Sequence, residues 1–128
     1  MAETSPDGHK SFVAGEALDQ YVMVYQSGPN EVSENDDGTT NRTIGVTQHA
    51  ADAGEHVTVK LLTAAGTTKL KVDGSGTEIT VGASLVAGTG GQGIDQSTSG
   101  AMASYVACDP SSAAGTIIEA APSLHQVA

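Results

Sequence analysis

The sequence predicts an all-β fold: a small β-barrel or β-sandwich of about eight short strands behind an extended N-terminal arm. Three observations carry that prediction. Aliphatic and polar residues alternate over short runs, the period of a strand with one buried face. The 128 residues include sixteen glycines and many Thr and Ser, a composition of turns and pleated surfaces. No stretch keeps a helical apolar period over three turns. With one Phe, three Tyr and no Trp, the core must be built from Val, Ile, Leu and Ala.

In chain order, residues 1–12 are read as the arm, residues 13–122 as the β domain and residues 123–128 as a C-terminal tail. The first eleven residues, MAETSPDGHKS, are polar and without period. They suit either a loose terminus or a segment that orders against a neighbouring subunit. Residues 21–25 form the first strand, apolar on both faces, with Val22 and Val24 on one and Tyr21, Met23 and Tyr25 on the other. A strand apolar on both faces is covered on both faces. The second cover is either another part of this chain or another subunit.

Residues 27–41 read as a long polar loop with Gly28-Pro29 and Asp37-Gly38 turn signals. Strands follow at 43–47, 56–61, 68–72, 78–81 and 83–87. The clearest is His56-Val57-Thr58-Val59-Lys60-Leu61, with Val57, Val59 and Leu61 facing inward. Residues 101–107 read as a strand or a short Ala-rich helix, and 116–120 as a last strand ended by Pro122. One echo runs through the chain. Ile44-Gly45-Val46 leads through a small-residue turn to Ala53-Gly54 and a strand. Tyr105-Val106-Ala107 does the same to Ala114-Gly115. These are read as two similar hairpins.

Charge narrows the function. Fifteen acids against five bases set the net charge at −10. Nucleic-acid affinity needs clustered Lys and Arg to release counterions. The same field repels anionic membranes and suits a basic protein patch. No nucleic-acid or membrane partner is therefore expected. Residues 1–12 hold no apolar stretch of the signal-peptide kind, which points to synthesis in the cytoplasm. Cys108 stands alone, reads as a small buried hydrophobe beside Val106, and permits no intrachain disulfide.

Three motifs carry weak chemical signals. Gly88-Thr89-Gly90-Gly91-Gln92-Gly93 matches the dinucleotide-binding glycine pattern literally, but no amphipathic helix follows it. Asn35-Asp36-Asp37-Gly38 resembles a calcium loop, yet Ile44 stands where the closing Glu belongs. His49, Asp52, Glu55 and His56 are the one cluster of metal-ligand types, and each also serves as a turn or strand-face residue. No G-x-S-x-G elbow and no facing carboxylate pair occurs. No catalytic, metal or cofactor residues are assigned, and the chain is read as no enzyme.

Three features resemble the small head-decoration, or capsid cement, proteins of tailed phages. They are Phe12-Val13-Ala14-Gly15-Glu16-Ala17-Leu18 before the first strand, Ile44-Gly45-Val46 with the following 51–59 segment, and 79–86 with the Gly-Gln-Gly turn and late hairpin. The resemblance spans roughly residues 12–120. It implies a compact β fold, a homotrimer, the major capsid protein as partner, and a place on the outer capsid surface of the virion. Terminal arms would clasp capsid subunits. Ser5, Pro6, His9, Lys10 and Phe12 are then the expected capsid contacts. Tyr21, Met23 and Tyr25 are the expected oligomer interface. The competing reading is a receptor- or glycan-binding fibre or adhesin module using the 27–41 and 88–100 loops. A third is a cupin-type metal enzyme resting on His49 and His56.

Overall fold

The computed structural model describes residues 8–128. Ten strands form two closed five-stranded barrels. The first holds β1 (His9–Ala14), β2 (Met23–Gly28), β3 (Glu31–Glu34), β4 (Gly45–Thr47) and β5 (His56–Leu61). The second holds β6 (Thr68–Asp73), β7 (Ser84–Ala87), β8 (Gly93–Asp95), β9 (Met102–Ala107) and β10 (Ala114–Gln126). A single 3₁₀ turn, Thr89–Gly91, lies before β8.

The two barrels share one topology. Neighbours run β1-β3-β2-β4-β5 in the first and β6-β8-β7-β9-β10 in the second, and each circle closes on itself. The β1–β3 and β6–β8 pairs are parallel; every other pair is antiparallel. Even the isolated bridges correspond. Leu18 and Ala51 exchange backbone hydrogen bonds of 2.8 and 3.0 Å, as Ile79 and Ser111 do at 2.8 and 2.9 Å. The two hairpins singled out in the sequence are β4–β5 and β9–β10, the same place in each repeat.

One turn shows how different residues meet the same demand. Tyr21 N–H donates to Thr47 O at 2.9 Å, and Gly82 N–H to Ala107 O at 2.8 Å. Both donors have positive φ, 60° for Tyr21 and 89° for Gly82. Glycine holds that conformation without the Cβ penalty. Tyr21 accepts the penalty, and its side chain packs on the core of the second barrel.

Each barrel has its own core. Phe12, Leu18, Val24, Val32, Val57 and Val59 fill the first. Leu70, Val72, Ile79, Leu85, Tyr105 and Ile118 fill the second, joined by Met23 and Val46 from the first barrel. This settles the question left open by the doubly apolar strand: Val24 faces the first barrel's interior, and Met23 is covered by the second barrel of the same chain.

Several expectations are corrected. Residues 9–12 belong to β1, held by β5 through pairs from His9↔Lys60 to Val13↔His56, so the arm cannot extend to residue 12. The polar 27–41 segment contains β3, which sits between β1 and β2; Gly28-Pro29-Asn30 turns the chain, with Asn30 at φ 54°. Residues 78–81 make one bridge at Ile79 and no strand. Pro122 does not end β10. The strand passes through it with a register shift before His125 and takes in residues 123–126 of the expected tail. Cys108 is exposed, just past the end of β9.

Candidate docking surface

The joint between the barrels accounts for much of the polar sequence. Backbone groups tie it directly: Lys71 N–H donates to Tyr21 O at 2.7 Å, and Gly38 N–H to Ala87 O at 2.9 Å. The glycine-rich loop lies here. A Cβ on Gly91 would stand 3.0 Å from Met23 O and from Val22 Cβ, so the glycine allows the barrels to approach. Gly90 N–H donates to Asp36 Oδ1 at 3.2 Å. The pattern that resembles a nucleotide motif therefore serves a packing contact, with no helix behind it.

The Asn35–Gly38 stretch is also structural. Asn35 is fully buried, donating to Asn41 O at 2.9 Å and Thr43 Oγ1 at 2.8 Å. Asp37 accepts from the Thr39 and Thr40 hydroxyls at 2.6 and 2.9 Å. The Thr39 hydroxyl, first among these bonds, holds the Asp37 carboxyl below its usual range.

Carboxylates gather beside the joint. Asp19 pairs with Lys71, whose hydrogen bond lowers its pKa. Glu34 is pushed up to about 7, first by burial, then by its hydrogen bond to Asp36 and by the charges of Asp36, Glu16 and Asp19.

The His49, Asp52, Glu55, His56 group is spent on a turn. His49 Nε2 accepts from Thr58 N–H at 3.1 Å while Nδ1 meets Ala50 O at 3.0 Å, an arrangement the Nδ1–H tautomer satisfies. Glu55 Oε1 accepts from Asp52 N–H at 2.7 Å. Among the described residues, no three His, Cys, Asp or Glu side chains are grouped to hold a metal ion. Ser84 Oγ lies 2.8 Å from His125 Nε2, and His125 Nδ1 lies 2.6 Å from Ser123 O. This Ser–His contact lines none of the cavities described here.

The expected contact residues scatter. Ser5 and Pro6 lie outside the described residues. His9 and Lys10 are half-buried on β1; Lys10 Nζ sits 4.7 Å from the Phe12 ring centre. Phe12 is 3% exposed and belongs to the first core, so it is no surface contact. Met23 is fully buried at the joint, and Tyr21 packs beside it. Of the expected oligomer face, only the half-buried Tyr21 and Tyr25 reach solvent.

A cleft between the barrels escaped the sequence reading, because its walls come from separate segments. A cavity of about 380 Å³ is walled by Ile44, Leu61, Leu62, Pro122 and Leu124, with Arg42 at its rim. A second cavity of about 390 Å³ continues past Leu124 between the 38–43 segment and Met102. Leu124 and Met102 are 55% and 48% exposed.

The fold has a counterpart among solved structures. The N base of the head fiber gp8.5 of bacteriophage phi29 superposes with a TM-score of 0.71, at 18% identity, over 94% of this chain and 97% of that one. At that identity the likeness shows a shared fold. No protein-family model matches the chain, and no curated protein matches it by sequence.

Proposed function

We propose that this chain is a structural protein of a phage head that works by binding the assembled shell, as a decoration or cement protein. The observation that carries the reading is the shared fold with a head fiber base over nearly the whole of both chains. The net charge of −10 suits docking on a basic patch of capsid protein. A protein that binds only the assembled lattice stabilises it by mass action, and repetition over the lattice multiplies weak contacts. In this reading the partner is the major capsid protein, the place is the outer surface of the virion, the protein acts as a homotrimer, and neither catalysis nor nucleic acid is involved.

The adhesin alternative draws less support. Its two loops hold β3, the glycine contact at Gly91 and β8, all committed to the barrels and their joint.

The test is co-sedimentation with purified heads that lack this protein, from the phage that encodes it. The unaltered chain should pellet with heads and raise the temperature at which they release DNA. No association would end the reading. Deletion of residues 2–7, which spares β1, should weaken binding and leave the far-ultraviolet circular dichroism unchanged. Undiminished binding would remove the arm from the account.

A further inference from the structure

We propose that the inter-barrel cleft receives an extended segment of the shell polypeptide, which pairs with the open edge of β10, seats an aliphatic side chain on the cleft wall and places a carboxylate on Arg42. This inference rests on the head-docking reading and names the site that would perform it.

The first argument is the edge. β10 pairs with β6 only as far as Ala120↔Thr68, while its pairing with β9 continues to Gln126. From Pro122 to Gln126 one side of the strand therefore has no strand beside it among the described residues. Val127 N–H bonds Ala101 O on the β9 side at 2.8 Å. An unpaired edge is a template for an added strand. Proline is tolerated here because Pro122 leaves no ladder donor missing.

The second argument is the wall. Pro122 and Leu124 face Leu61, Leu62 and Ile44 across the cleft. An added strand would project alternate side chains toward that wall. Leu124, about half exposed, would be covered.

The third argument is charge, and it identifies the occupant. Arg42 is the chain's one arginine, exposed in a protein with fifteen acids. Among the described residues the one ion pair is Lys71–Asp19, so Arg42 holds no carboxylate. Its guanidinium presents a fork that matches a carboxylate in two places. A second copy of this acidic chain would bring its own net charge against the same surface, which favours a segment of another protein.

The experiment measures head binding for Arg42→Glu, Leu124→Asp and a control, Val81→Asp, whose site is 66% exposed and away from the cleft. All three positions are on the surface, and matching thermal melts confirm intact folding. Arg42→Glu and Leu124→Asp should each bind about ten-fold more weakly or worse, with the control unchanged. Hydrogen exchange on head-bound protein should show the 123–126 segment gaining protection. Wild-type binding by both cleft variants would overturn the inference while leaving head docking standing. A change in the oligomeric state of the free protein would overturn it in favour of a self-interface. Failure of the unaltered chain to bind heads would remove both readings together.

Discussion

The two barrels are built to one plan and differ where they meet. The first is lined mainly by valines, with Phe12 and Leu18, and closes without help from the second. The second is lined by Leu70, Ile79, Leu85, Tyr105 and Ile118, yet its core takes in Met23 and Val46 from outside. The first barrel is the donor and the second the receiver. At the matching turn the donor carries Tyr21, whose ring packs on the joint, and the receiver carries Gly82, which opens on solvent. A repeated framework thus tolerates divergence in its cores, provided one face is reassigned from water to the sister barrel.

Breaking that asymmetry should have the largest effect at Met23. Met23→Ala removes a fully buried side chain from the joint and should cost about 2–5 kcal/mol, read as a lower midpoint in urea. The equivalent position of the second barrel is the half-buried Ser84. Ser84→Ala, which loses only the contact with His125, should cost about 1 kcal/mol, and equal losses at both would refute the donor–receiver distinction.

A smaller effect isolates the backbone. Gly82 has φ 89° and nothing within 4 Å of where a Cβ would stand. Gly82→Ala should therefore destabilise by about 1 kcal/mol through conformation alone. A loss above that range in thermal melts would mean that the turn has a packing role the geometry does not show.

The smallest effect is a dependence on pH. Glu34 titrates near 7 in the folded chain against 4.5 for the free side chain. The folded state then binds more protons than the unfolded one between those values, so stability falls as pH rises through this window and levels off above it. Glu34 is partly solvated, and the change should be on the order of 1 kcal/mol after allowance for screening. Glu34→Gln should flatten the melting temperature between pH 5 and 8. An unaltered slope would place its source in another group.

Much of the fold was legible where alternation was strong. His56–Leu61 is read with the bounds that β5 has, β6 and β7 fall within a residue of expectation, and the 101–107 segment, open between strand and short helix, is β9. The failures have particular causes. β3 offers one buried aliphatic, Val32, among Glu and Ser, and its partners on both sides supply the order that its own pattern lacks. β1 was read as an arm because His9, Lys10 and Ser11 look solvated, although Lys10 lies along Phe12. Pro122 was read as a stop, but a proline on an open edge interrupts no pairing. Strand β2 announced two covered faces through Val24 and Met23, while the identity of the second cover required a partner more than forty residues away, such as Leu70 or Val72. The shared topology surfaced only in the hairpins, because turns such as Tyr21 and Gly82 share geometry without sharing residues. The cleft was hidden for a simpler reason: neither Arg42 nor Leu124 belongs to a local motif.

The placement of β10 also sets an order of assembly. Every strand of the first barrel has been synthesised once Leu61 leaves the ribosome, whereas β6 must wait for the C-terminal strand that pairs with it. Long-range pairings of this kind close late. During that interval the Met23 side of the first barrel has no sister to cover it, and the nascent chain carries an uncovered apolar face until β10 has been made.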